Sequence, residues 1–194
     1  PLGFSNYESL LAMQTLWAVP WMLHMGGYTA ARAAAGLFGI NLCMLTVFWL
    51  WGLLMPHLTR RGLHVETLIT WGVPVSLCVL AVLVVGGASA GAHTAWLLAL
   101  FCISSSVLSL AQPAVGLAFA SALAGRALSA YNLVIFGGVF VVQWGIGLMI
   151  DALRALGWAQ AQAYQGALGV VLVLNVLAYG WFLWRRAPDR RSSP

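Results

Sequence analysis

Long apolar runs separated by short polar breaks are the dominant pattern of this chain. The clearest break covers residues 52–62, GLLMPHLTRRG, where Pro56, His57, Arg60 and Arg61 interrupt hydrophobic sequence on both sides. A helix that crosses a bilayer needs about 20 mostly apolar residues. Counting outward from the break with that length predicts six transmembrane helices, at about residues 1–24, 33–55, 67–85, 94–117, 127–150 and 162–184. Small-residue stretches, GGASAGAH at 86–93 and ASALAGR at 120–126, read as turns between them. The last ten residues, RRAPDRRSSP at 185–194, have no hydrophobic run and are expected to form an unordered basic tail. The expected fold class is all-α, a polytopic membrane protein with one six-helix bundle over residues 1–184.

Composition supports that class. The 194 residues are 62% hydrophobic and 7% charged, against about 25% charged in an ordinary soluble domain. The net charge of +5 comes from nine arginines and four acids. No basic face interleaved with aromatics accompanies it, so nucleic acid is not an expected partner. The arginines mark topology instead. With six spans, Arg60, Arg61, Arg126, Arg185, Arg186, Arg190 and Arg191 fall on one side and only Arg32 and Arg154 on the other. Cytoplasmic loops carry the excess of Arg and Lys, which predicts cytoplasmic termini in a bacterial-type inner membrane. Trp17, Trp21, Trp49, Trp51, Trp181 and Trp184 gather towards span ends, where interface anchors sit. Cys43, Cys78 and Cys102 lie in separate apolar runs with no paired spacing and read as small buried hydrophobes. The chain starts at Pro1 rather than Met, as a fragment or processed chain would.

Polar residues inside the spans are the candidate chemistry. Asn6, Tyr7, Glu8, Ser9, Gln14 and Thr15 fall along the first helix. From Leu10 to Leu23 that helix offers only about 21 Å at 1.5 Å per residue, against about 30 Å of hydrocarbon. It therefore has to recruit residues before Leu10, which would bring Glu8 below the headgroups, where loss of water favours the neutral acid. The alternative is a later start that leaves Glu8 in the headgroup layer. In the fifth span Asn132 and Gln143 are eleven residues apart and point nearly the same way, with Phe136, Phe140 and Gly147 extending the stripe. Two amides on one face serve either interhelical hydrogen bonds or a solute path. Gly137, Gly138, Gly145 and Gly147 allow close packing in the same span. Hydrolytic chemistry is not expected. Ser104, Ser105 and Ser106 lie mid-span out of reach of His93, and no G-x-S-x-G elbow or H-E-x-x-H motif occurs. No cofactor or metal is called for.

Residues 52–61 resemble the G-x-x-x-D-R-x-G-R-R loop of the major facilitator superfamily. Gly52, Arg60 and Arg61 match in register, while Pro56, His57 and Thr59 stand where the Asp, the first Arg and the second Gly would be. The stretches 14–22 (QTLWAVPWM) and 125–151 are similar to the first and fifth helices of a C-terminal half of such transporters. The resemblance implies a twelve-helix fold of two six-helix bundles, with this chain the second. Helices one and four would line the cavity, two and five would flank and gate it, and three and six would face lipid. It makes Gly52, Arg60 and Arg61 a cytoplasmic gating loop.

The expected function is therefore that of the C-terminal half of a secondary transporter, moving a small solute by alternating access. Tyr7, Glu8, Gln14, Trp17, Asn132, Phe136 and Gln143 are the cavity candidates, and Glu8 is the candidate carrier of a coupling proton. The expected partners are the lipid bilayer, a small-molecule solute, and an N-terminal six-helix half or a homo-oligomeric partner. The competing expectation is a six-helix scaffold or accessory membrane protein with no transport of its own.

Overall fold

The structure, a computed structural model, describes residues 6–186. The expected start of the first helix at residues 1–5, and the tail from residue 187 on, lie outside them. Helix is the only regular structure among the described residues. The first run consists of α1 (Glu8–Ala12), a π-helical turn (Met13–Trp17) and α2 (Ala18–His24). Next come α3 (Ala30–Arg60), α4 (Val65–Gly86), a 3-10 turn (Gly87–His93) and α5 (Thr94–Ser105). A second 3-10 segment (Ser106–Leu110) leads into α6 (Ala111–Leu117), followed by α7 (Ser121–Ala155) and α8 (Gln160–Arg186). Among the described residues four stretches are long and apolar enough to cross a membrane: Ala30–Arg60, Val65–Pro113, Ala122–Ala155 and Gln160–Arg185. The second of these folds back at Gly87–His93, so that α4 lies against α5. The chain is all-helical and has the make-up of a membrane-embedded protein.

Two prolines explain the irregular turns. Pro20 has no N–H for the carbonyl of Leu16, and its ring crowds that carbonyl. The helix absorbs this in the π turn at Met13–Trp17 just before it. Pro113 does the same to Ser109, within the 3-10 segment Ser106–Leu110. There the hydroxyls of Ser104, Ser106 and Ser109 donate to the carbonyls of Leu100, Ile103 and Ser106 at 2.8, 2.7 and 2.7 Å. The serine run serves backbone geometry.

Two expected turns are helical instead. Residues 52–60 continue α3 straight through Pro56. One proline removes one backbone bond, and the helix around it is held by Thr59 Oγ1 donating to Met55 O at 2.9 Å, with His57 Nδ1 3.2 Å from Leu53 O. The chain reverses only after Arg60. Leu63 N donates to Leu58 O and Gly62 N to Thr59 O, both at 3.0 Å, with Gly62 at φ 78. This is a Schellman cap, which favours glycine at the left-handed position. Gly157, at φ 88, ends α7 in the same way, through Trp158 N to Leu153 O at 3.1 Å and Gly157 N to Arg154 O at 2.9 Å. The second correction concerns residues 120–126. Ser121 already opens α7, because Ala and Leu are strong helix formers and a single Gly125 does not outweigh them. At 35 residues α7 is about 52 Å long. It outruns a hydrocarbon core of about 30 Å and carries Arg126 and Asp151 near its ends.

The first helical run lies at the centre of the packing. It meets α7 through α1 and α3 through α2. Around it α3 packs on α5, α4 on α5 and α8, and α7 on α6 and α8. Leu10, Met13, Trp21 and Met22 of this run are fully buried with Leu80, Leu83, Leu98 and Leu168. Trp21 is thus a core residue and not an interface anchor, whereas Trp49, Trp181 and Trp184 are exposed. Both α4 and α8 are half buried, with Val73 and Leu83 inward on α4 and Trp71 and Val82 outward.

Candidate functional site

The first helical run carries its polar residues on opposite sides, and each side has its own partners. Towards α8, Asn6 Nδ2 donates to Asn175 O at 3.3 Å, and Asn175 Nδ2 donates to Ser9 Oγ at 3.1 Å. All three residues are buried. In an apolar bundle such groups need partners, and this knot fixes the first run against the last helix. Asn175 stood out in the sequence only as a lone amide in an apolar span.

Glu8 faces α7. It is fully buried, 0% exposed. Among the described residues neither carboxyl oxygen has a hydrogen-bond partner. On α7 it faces Gly138, where a Cβ would overlap the carboxyl group. Desolvating an unpaired carboxylate costs on the order of several kcal/mol, and the neutral acid far less.

On the outward side lies a band of amides and hydroxyls. Gln14 Nε2 donates to Asn41 Oδ1 of α3 at 2.9 Å, and Gln143 Nε2 of α7 donates to Thr15 Oγ1 at 2.8 Å. Trp17 Nε1 donates to the Gln143 carbonyl at 3.3 Å. The π turn sets this band. By displacing the Met13–Trp17 carbonyls it presents Gln14 and Thr15 outward on neighbouring positions, where one amide reaches α3 and one hydroxyl meets α7. Thr15 and Asn41 are exposed. Large apolar side chains surround the band, including Leu45, Trp49, Phe136 and Phe140, all exposed.

A cleft of about 490 Å³ opens nearer the arginine-rich end, lined by Tyr7, Phe48, Ser109, Gln112, Pro113 and Leu128. Beside it Gln112 Nε2 donates to Asn132 Oδ1 at 3.0 Å, joining α6 to α7. The cleft thus brings together Tyr7 and, one bond behind, Asn132. Gln14, Trp17 and Gln143 form the separate band. Asn132 and Gln143 have different partners on different helices. Phe136 is 69% exposed and lies on the outer surface, outside the cleft. Gly52, Arg60 and Arg61 lie exposed along the end of α3. Gln112 and Asn41 acquire their roles only through helix packing, and the only sequence signal for either was an amide inside an apolar run. Compared with family models, curated proteins and solved structures, the chain matches none.

Proposed function

We propose that this chain is a six-pass half of a secondary transporter that moves a small solute by alternating access. The observation that carries the reading is the exposed polar band Asn41–Gln14 and Thr15–Gln143 on an otherwise apolar surface. Lipid does not solvate amides, and groups of this kind inside a membrane face water or another protein. A band shared by the first run, α3 and α7 is what one bundle presents across a central path to a second bundle. The packing pairs support the same architecture. The first run meets α7, α3 meets α5, and α4 meets α8. Counting the first run, α3, α4, α5–α6, α7 and α8 as passes one to six, exchanging the first three with the last three maps these three pairs onto one another, as in transporters built from inverted repeats. The α7–α8 pair has no α3–α4 counterpart. The resemblance of residues 52–61 to the major facilitator loop points the same way.

In this reading all six passes cross, with Arg60, Arg61, Arg126 and Arg185 cytoplasmic and the Gly87–His93 turn outside. The cleft at Tyr7 and Gln112 is the cytoplasmic vestibule. The band is the midplane solute path, and Glu8 carries the coupling proton. A bacterial-type inner membrane and a second six-helix partner complete the assignment. The test is solute-triggered proton flux in proteoliposomes of the assembled protein with an internal pH dye. Glu8→Gln should abolish pH-driven accumulation while some solute exchange persists. Unchanged proton-coupled uptake in that variant sinks the coupling role. No flux with any solute in a broad panel favours the scaffold reading.

A further inference from the structure

Glu8 and Gly138 meet where α1 crosses α7. The contact has an unusual property. The acid is wholly buried, yet among the described residues it is held by no hydrogen bond. Its polar neighbours on the same run, Asn6 and Ser9, are engaged with Asn175 on α8. What remains to locate the carboxyl group is space, and that space is the side chain Gly138 does not have.

We propose that Gly138 is a positioning residue for Glu8, its missing side chain forming the seat that keeps the carboxyl group inside the bundle as a neutral acid. One added methyl would occupy the seat and drive the carboxyl out towards water, where it ionises. The seat is specific to this glycine. A Cβ at Gly137 or at Gly145 of the same helix would meet nothing within 4 Å. Among the described residues no Arg side chain lies beside the carboxyl group to hold an anion there. Tyr7 on the same run and Tyr131 on α7 are the titratable groups near it. The run Thr94–Ser105 of α5 contains no charged residue. The charged residues of α7, Arg126, Asp151 and Arg154, are all at least three turns from Gly138, and Arg185 lies at the far end of α8. For its consequence in transport this inference rests on the coupling role proposed for Glu8. The seat itself does not.

The chain has two glutamates, Glu8 and Glu66, and in a ¹³Cδ-glutamate spectrum each resonance is identified by its loss in the Glu8→Gln or Glu66→Gln variant, with the exposed Glu66 as internal reference. In the assembled protein in lipid nanodiscs at pH 7, Glu8 should give the shift of a neutral acid. Gly137→Ala and Gly145→Ala should leave both unchanged. Gly138→Ala should move Glu8 to the carboxylate position. An unchanged Glu8 resonance in Gly138→Ala, or a carboxylate resonance already present in the unsubstituted protein, overturns the proposal. Should Gly138→Ala fail to fold, a double-mutant cycle decides. The loss of thermal stability from Gly138→Ala should largely vanish in a Glu8→Ala background, and an equal loss in both backgrounds contradicts the seat. A displaced resonance together with intact pH-driven uptake in Glu8→Gln would keep the seat and remove the coupling role.

Discussion

Individual side chains divide into those that hold the bundle together and those that face outward, and substitutions should separate them. Asn175 accepts from Asn6 and donates to Ser9 in a buried setting. Asn175→Leu keeps the backbone carbonyl that Asn6 meets but leaves the buried Ser9 hydroxyl without the Asn175 amide, and should cost about 1–3 kcal/mol, read as a lower thermal midpoint in detergent. Gln14 pairs with Asn41 on the exposed side. Gln14→Ala should stay within about 0.5 kcal/mol of the parent in the same assay, while lowering solute uptake by the assembled transporter. Gly138→Leu should destabilise far more than Val142→Leu, since only the first forces a side chain into the Glu8 carboxyl. Equal midpoints for these two would count against the close contact. That Glu8 lies on the first helical run was legible in the sequence. Its seat was not, since nothing in a linear pattern aligns residue 8 with residue 138. The same holds for Gln112 with Asn132 and Gln14 with Asn41, where two amides were visible and their pairing was not.

At the scale of helices, apolar run length located the elements, and capping chemistry corrected their ends. Pro56 and the arginines after it looked like a break, but a single proline removes one hydrogen bond from a long helix and does not stop it. The stop lies at Gly62, where a left-handed residue closes the Schellman bonds to Leu58 and Thr59. Likewise the small residues of 120–126 contain no breaker strong enough to hold a turn. A paired substitution tests the distinction. Gly62→Ala puts a Cβ at φ 78 and should cost about 1 kcal/mol or more. Gly125→Ala sits inside α7 with nothing within 4 Å and should stabilise by about 0.5–1 kcal/mol. Thermal midpoints moving in the same direction for both would contradict these helix boundaries. The π turn before Pro20 has a sequence cause but no visible sequence signature, because proline also permits a simple kink.

For the whole molecule, the proposal joins a topology to a path. In sealed right-side-out vesicles and a Cys-free background, a Cys replacing Ala90 should react with an external impermeant thiol reagent and a Cys replacing Arg61 should not. The reverse pattern would overturn the orientation. The path is the central claim, and substituted-cysteine accessibility in the assembled protein tests it most directly. Gln14, Thr15, Asn41 and Gln143 are each replaced by Cys and exposed to a charged methanethiosulfonate in native membranes. Val82 of α4 and Leu177 of α8, which are 53% and 63% exposed on the outer surface, serve as controls. The account predicts modification at the four band positions and none at Val82 or Leu177. Band positions as inert as the two controls would place Gln14, Thr15, Asn41 and Gln143 away from water and contradict a solute path.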